Sequence, residues 1–501
     1  MRIEKLINLR KQFKRKKQKV GLVHGVFDVL HSGHIDHLRE AKMYCDKLIV
    51  SVTSDKYVNK GPNRPLFKCN KRISNLLSIR TVDYALENNH PTPIEIIKRI
   101  KPDLYIKGSD YTNPNLDLTN NLSREIRTIK FVGGKFISTK TKNLSSTKII
   151  NNDLGAISPE IKKILKNCNL NKINSFLKDI TKKRLKKKIL ILGEHIIDKY
   201  TYVDPIGKSV KNNIVTLSYK NDEVFAGGSL MVANLLSKFV DGVSLVVFEN
   251  TYNKKFYNKL LNKNIKLIRF KEKEAKVIIK NRFVDKYSKR ILSQINYNNQ
   301  VYLSANTKKR IYKYIKDNSK KSDINLVYDF GHGLISNNDA KNNAFHKKNT
   351  FINCQSNSSN FGFNKATKFS NFNTICMDNI EFRLCAQNKI DPLDKIIKKN
   401  EKFINSFKNF IITDGKEGCY FLKKNKKTFI PSITTDTVDT TGCGDVFFAI
   451  LTLFLSEKKF NENEISLACH AAAGLHSKRI GNGEVVSPLS LYRAVQHLFK
   501  S

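Results

Sequence analysis

The sequence predicts an α/β protein made of two doubly wound domains, and three observations carry that reading. Short apolar runs alternate with amphipathic helical stretches along most of the chain, the pattern of parallel strands covered by helices on both faces. A polar, Lys- and Asn-rich stretch over 151–188 breaks this alternation, and a fresh apolar run follows it. The 23 glycines of the 501 residues cluster after apolar runs, where a backbone needs a tight turn or close approach to a ligand.

The elements follow in order. Residues 1–18 are expected to form an N-terminal helical arm. Within 19–150, Val20–Val23, Leu48–Thr53, Val82–Leu86 and Leu104–Lys107 are β-rich apolar runs and predict buried parallel strands. Ile35–Tyr44, Lys71–Arg80 and Pro93–Ile100 lie between them with helical spacing. Residues 151–188 carry Ile161, Leu165, Ile173, Phe176 and Leu177 at helical spacing and predict a helical linker. Ile189–Leu192 then opens a second alternating unit, 189–501.

Composition narrows the function. Forty per cent hydrophobic residues suffice for real cores, so wholesale disorder is excluded. Lys plus Arg outnumber Asp plus Glu by 90 to 44, a net charge of +46. The lysines are scattered among Asn and Ile along the whole chain, so the charge reads as a coding bias. Neither a nucleic-acid partner nor stable membrane association is expected. The nine cysteines include no C-x-x-C pair, which argues against zinc and a disulfide framework. The longest apolar run, Val446–Leu455, is too short to span a bilayer about 30 Å thick. No apolar core follows the charged N-terminus, so a cytoplasmic protein is expected.

The first site is Gly25-Val26-Phe27-Asp28-Val29-Leu30-His31-Ser32-Gly33-His34, directly after a strand. Two imidazoles at a helix start can face a phosphate held by the helix N-terminus and donate to charge developing on it. Taken alone, the pair is also compatible with a metal pair or an incidental surface placement. The run resembles the nucleotidyltransferase signature G-x-F-D-x-x-H-x-G-H of cytidylyltransferases and sugar-phosphate adenylyltransferases. Lys101-Pro102-Asp103 through Lys107-Gly108-Ser109-Asp110-Tyr111, and Ser145-Ser146-Thr147-Lys148-Ile149-Ile150, resemble further motifs of that family in the right order. The resemblance implies a Rossmann-like domain over 19–150 with His31 and His34 catalytic. It places nucleotide contacts at Val26, Phe27, Asp28, Lys42, Lys107, Gly108, Asp110, Ser145, Ser146 and Thr147. Arg64-Pro65 and Arg72 fall where heptose-type members carry R-P and a helix arginine. A class I aminoacyl-tRNA synthetase shares H-x-G-H but should carry a K-M-S-K-S-type loop, which is not seen.

The second site is Asp439-Thr440-Thr441-Gly442-Cys443-Gly444-Asp445, before the apolar helix Val446–Leu455. Small residues there expose backbone N–H groups as an anion hole, and the closing carboxylate can take a proton from an attacking hydroxyl. The motif resembles D-T-x-G-A-G-D of the ribokinase-like (PfkB) carbohydrate kinases. That resemblance implies a ribokinase-like domain over 189–501 with Asp445 as catalytic base. It places the nucleotide at Thr413, Gly415, Gly418, Thr441, Gly442, Cys443, Gly444 and His470. It places the sugar at Asp198, Gly227 and Gly228, and a magnesium-associated carboxylate at Glu381; Lys280 and Arg282, cations on a strand, read as phosphate clamps on the sugar side or as merely solvated charges. Met231, His332 and Asp378 depart from the family pattern. Gly207-Lys208-Ser209 is no P-loop, because Tyr202 occupies the position of the first glycine.

The two resemblances together are those of bifunctional heptose-phosphate kinase and heptose-1-phosphate adenylyltransferase proteins, here with the domains in reversed order. They imply ATP, with CTP possible in the transferase half, Mg²⁺, sugar-phosphate substrates and a possible homodimer through the kinase domain. The alternative is an active transferase half with a kinase-like half kept for binding or regulation.

Overall fold

The structure, a computed structural model, describes residues 3–58, 64–108, 121–140, 157–341, 344–424, 426–433, 437–478, 480–483 and 486–499. The chain divides into two compact units, Met1–Ser158 with Gln496–Ser501, and Pro159–Val495.

In the first unit, β1 (Val20–Gly25), β2 (Lys47–Thr53), β3 (Tyr84–Asn88), β4 (Leu104–Lys107) and β5 (Lys135–Ser138) form one sheet. Their order is β3-β2-β1-β4-β5 and every neighbouring pair is parallel. The order reverses between β1 and β4, which opens a crevice at their carboxyl ends. Alternate strand residues serve opposite layers. Leu22, Ile49 and Tyr105 join Leu6, Phe13, Ile97 and Ile129, while Val23, Val50 and Ile106 join Leu38, Ala41 and Leu76. Both faces are thus covered, as parallel strands require. The third strand starts at Tyr84 and not Val82, because the Val82 amide closes a turn on the Ile79 carbonyl at 2.9 Å. The N-terminal helix, Ile3–Arg15, is packed on this unit by buried Leu6 and Phe13, and Arg10 reaches Asp103 at 2.8 Å.

The second unit opens with the helices Pro159–Lys166 and Leu170–Lys182, the segment expected as a linker. Ile173, Phe176, Leu177 and Ile180 are buried, and Lys172 pairs with the buried Glu464 at 2.6 Å. Its strands are β6 (Leu185–Gly193), β7 (His195–Lys208), β8 (Val215–Gly227), β9 (Val240–Glu249), β10 (Ile265–Lys271), β11 (Ile278–Asp285) and β12 (Ile291–Tyr297). They continue as β13 (Ile324–Asp329), β14 (Thr350–Cys354), β15 (Thr374–Asp378), β16 (Asn409–Asp414), β17 (Gly418–Lys423) and β18 (Lys426–Pro431). Nine form a sheet in the order β10-β9-β6-β13-β14-β15-β16-β17-β18, antiparallel only at β17 and β18. A separate four-stranded sheet, β12-β11-β7-β8, has no counterpart in the sequence expectation. Its strands give a weak signal because one of them, β12, is almost wholly exposed, Ile291 and Leu292 included. Among the described residues, no helix is long and apolar enough to cross a membrane.

Candidate active sites

In the first unit β1 ends at Gly25, inside the crevice at the strand-order reversal. Phe27 follows with a left-handed backbone, φ 51°, and a Cβ on Gly25 would lie 2.9 Å from its ring. This tight turn delivers His31 as N-cap of the helix Ser32–Met43 and His34 in its first turn. The imidazoles stack with centroids 3.9 Å apart, and the Phe27 ring packs on His34 at 5.3 Å. Both rings therefore flank the positive end of a helix dipole. Lys107, buried, ends β4 across the reversal point with its Nζ 3.7 Å from Glu125. The next carbonyl, Gly108, accepts from Ser138 Oγ at 3.2 Å.

Two further imidazoles stand here that the motif did not announce. His24, on β1, meets Ser51 Oγ through Nδ1 at 3.0 Å, and His37 Nδ1 meets Thr139 Oγ1 at 2.8 Å. Burial, reinforced by the Lys107 charge, pushes the His24 pKa down to about 3. Burial also lowers that of His37. Both stay neutral at physiological pH. Their signal in the sequence was positional only: His24 is one residue before the strand end, and His37 follows His34 at i+3.

Three expected nucleotide contacts have other partners. Asp28 is buried, and its Oδ1 accepts the Leu66 and Phe67 amides at 2.7 and 3.1 Å while Oδ2 pairs with Arg64 at 3.0 Å. It ties Arg64, Leu66 and Phe67 to the turn after β1. The Val26 carbonyl accepts from Arg72 Nη1 at 2.5 Å. Lys42 is a correction: it lies eight residues beyond His34, about 12 Å further along the helix. Its Nζ donates to Asp83 at 2.5 Å and to the Asp46 carbonyl at 2.6 Å. Asp83 also holds the Leu48 amide near the amino end of β2, so Lys42 sits at the sheet end opposite the histidines. Asp110, Ser145, Ser146 and Thr147 lie outside the described residues.

Arg72 is fully buried and binds the site loops together, donating to the carbonyls of Val26, Phe67 and Thr53 and to Asp55 Oδ1. Arg72→Met keeps the volume but strands these acceptors. We expect a loss of about 3 kcal/mol in the stability of this unit, read as a lower urea midpoint.

In the second unit, Gly442 takes φ 77° and caps the helix Cys443–Ser456. A Cβ on Gly444 would meet open space, whereas one on Gly442 would lie 3.0 Å from Asn482 Oδ1 and 3.1 Å from His476 Nε2. The Cys443 amide, expected in the anion hole, instead donates to the Thr440 carbonyl at 3.1 Å. That leaves the amides of Gly442 and Gly444 as the candidates for holding an anion at this turn. Thr441 shapes the turn: its amide donates to Asp439 Oδ1 at 2.9 Å, and its carbonyl accepts from His476 Nε2 at 3.0 Å.

A cavity of about 470 Å³ opens at this turn, and it brings together Asp445, Gly442, Cys443, Gly444, Thr413, Gly415, Gly418, His470 and Glu381. The Asp445 carboxylate accepts from Gln355 Nε2 at 2.6 Å, and burial pushes its pKa up to about 7. Glu381 accepts the Ser356 and Asp378 amides at 2.9 and 2.7 Å, and burial likewise raises it to about 7. Asp378 is the N-cap of the helix Asn379–Ala386, which carries Glu381, and this gives its departure from the expected Asn a structural role.

Beside Asp445 lies a charged cluster. Asp198 pairs with Arg282 at 2.6 Å through Oδ1 and accepts from Asn482 at 2.8 Å through Oδ2. Arg282 is therefore engaged within the protein, with its guanidinium over the Tyr200 ring. Lys280 is half-buried; burial lowers its pKa, and the charges of Asp198 and Asp445 act the other way. Gly228 begins a fully buried helix with φ 53°, and a Cβ on Gly227 would lie 2.1 Å from Asp198 Oδ2. Gly227→Ala must displace that carboxylate. Where that carboxylate holds a sugar, the expected result is a KM for it raised about tenfold or more with ATP binding unchanged, measured by steady-state kinetics.

Residues 22–152 match the cytidylyltransferase-like family and residues 338–480 match the pfkB family of carbohydrate kinases. Bifunctional protein HldE of Paramagnetospirillum magneticum is 37% identical over 139 residues, 27% of this chain and 28% of that protein. Bifunctional protein HldE of Aliarcobacter butzleri is 35% identical over 137 residues, 27% of this chain and 29% of that protein. The matches thus span under a third of these relatives' length. A crystal structure of a phosphofructokinase-2 mutant from Escherichia coli covers 63% of this chain and 99% of its own with a TM-score of 0.52; at 13% identity that likeness concerns the fold alone. The chain therefore joins a cytidylyltransferase-like domain to a domain of the pfkB carbohydrate kinase family.

Proposed function

We propose that the chain is a bifunctional enzyme of nucleotide-sugar synthesis, in which each unit grips nucleotide phosphates at a helix start. One observation carries the reading: the stacked His31 and His34 cap one such helix, and the buried Asp445 lies in the first turn of the other.

In the kinase unit a sugar hydroxyl attacks the γ-phosphorus of ATP. Asp445 takes the hydroxyl proton, the new P–O bond forms, and the bond to the β-phosphate oxygen breaks to release ADP. The amides of Gly442 and Gly444 face the charge that gathers on the phosphoryl oxygens. Lys280 and the Asp198–Arg282 pair occupy the sugar side and suit a substrate that already carries a phosphate. In the transferase unit an oxygen of a sugar 1-phosphate attacks the α-phosphorus of ATP or CTP, and pyrophosphate leaves. His31 and His34 donate hydrogen bonds to the charge that accumulates.

A divalent cation fits the kinase cavity. Among the described residues no group of three or more His, Cys, Asp or Glu side chains is placed to hold a metal. Mg²⁺, however, keeps waters and phosphate oxygens and asks the protein for only one or two carboxylates. Glu381 would supply one, and bound Mg²⁺ would neutralise phosphate charge. The carboxylate has acceptor capacity beyond its two amide bonds.

The sugar-side departures, Met231 and His332, favour a heptose-like sugar over a fixed identity. A kinase half reduced to a binding module has no observation in its favour, because base, glycine turn and nucleotide loop line one cavity. Incubation of the full chain with ATP or CTP and a panel of sugar phosphates tests the proposal. Mass analysis should find a doubly phosphorylated sugar and, from a sugar 1-phosphate, a nucleotide-sugar with pyrophosphate. Folded protein that turns over no member of the panel would sink it.

A further inference from the structure

A second cavity in the same unit, about 850 Å³, shares no lining residue with the one around Asp445. It is an open cleft, seven of its nine lining residues exposed, on a cross-bonded frame. Gly331 (φ 74°) lines it, in a loop nailed down by the fully buried Glu194. That carboxylate accepts the Phe330, His332 and Leu334 amides at 2.9, 3.1 and 3.4 Å. The wall 298–302 is fastened to the loop twice: Val301 N donates to the His332 carbonyl and His332 Nδ1 to the Asn299 carbonyl, both at 2.7 Å. Asn360 closes another side, with Nδ2 on the Gly331 carbonyl at 2.6 Å. Such cross-bonding fixes the shape before any ligand arrives.

The lining selects a ligand class. Lys276 and Glu274 cancel each other there, in a chain of net charge +46, so an anion meets no excess of positive charge. Carboxamides and hydroxyls predominate over aliphatic side chains, so an apolar ligand gains little. A carboxamide presents a donor and an acceptor on one plane, which matches neighbouring hydroxyl groups. Among the described residues, the Asn299 side chain and Gln300 Nε2 make no hydrogen bond to protein. Tyr302 is 65% exposed and its hydroxyl is held by Gln300 Oε1 at 2.7 Å, which presents an aromatic face for the C–H side of a pyranose. A volume near 850 Å³ exceeds a single sugar unit and falls in the range of small-molecule sites.

We propose that this cleft binds an uncharged sugar unit, separately from the site at Asp445. The test is saturation-transfer NMR on the full chain with D-mannose, D-galactose and maltotriose as probes. Asp198→Asn serves as background to disarm the sugar side of the Asp445 cavity. Saturable binding of at least one probe should persist in that background and weaken about tenfold with Gln300→Ala combined with Tyr302→Ala. Tyr302→Phe, which keeps the ring, should retain most of it. The idea fails if no probe binds, if Asp198→Asn alone abolishes binding, if the double variant binds as well as the parent, or if inorganic phosphate displaces the sugar.

Discussion

Asp445→Asn is expected to cut the kinase kcat by about a thousandfold while leaving KM for ATP near its parent value. The general base disappears, but the amides of Gly442 and Gly444 and the loop at Thr413 and Gly415 remain. Pyrophosphate release by the transferase unit should be untouched. In the parent, burial holds the Asp445 pKa up at about 7. The ionised base is needed, so kcat/KM should fall roughly tenfold per pH unit below neutrality and level off above it. The same shift carries a stability consequence. The group titrates at 3.8 when unfolded and at about 7 when folded, so the folded state is penalised as pH rises between these values, and the penalty is complete above 7. Asn removes it, and Gln355 can still donate to the amide oxygen. Thermal unfolding of Asp445→Asn should therefore occur above the parent's temperature at pH 8, with the difference vanishing toward pH 4. Loss of activity together with loss of stability at pH 8 would contradict a buried, strained base.

His34→Ala should lower nucleotidyl transfer by about a hundredfold to a thousandfold, the cost of deleting one positioned donor to developing charge. It also takes away the ring on which both His31 and Phe27 rest. His31→Ala should therefore be comparable, and the double variant less than additive, because the two rings orient each other. The kinase activity of each variant is the internal control. If either change disabled both activities in folded protein, the division into two independent sites would be wrong.

Much of this was legible in the sequence. Short apolar runs between helical stretches located four of the five strands of the first unit to within a few residues, since burial on both faces leaves an unbroken apolar signature in local sequence; the edge strand β5, only partly buried, carries no such signature and was missed. Glycines announced both sites, because a Cβ on Gly25 would meet the Phe27 ring and Gly442 takes a left-handed φ. Lys42 was misread for a geometric reason: residue spacing along a helix measures distance from the site, and eight positions carry a side chain to the wrong end of the sheet. The partners of His24, His37, Arg72, Glu194 and Asn482 were not legible, because each reaches residues distant in the chain. Asn482, for example, meets Asp198 across 284 positions. The four-stranded sheet escaped for a related reason, since an exposed strand such as β12 carries no burial pattern.

By itself, then, the sequence determined the fold class, the two glycine turns and the residues at their tips, all of which depend on local backbone conformation and local burial. Only the tertiary structure decided which charges meet, which are neutralised and which stay available: that Arg282 is bound to Asp198, that the Cys443 amide turns away, and that Asp445 is buried enough to serve near neutral pH. Electrostatics and desolvation depend on what surrounds a group in space, and chain order does not encode that directly.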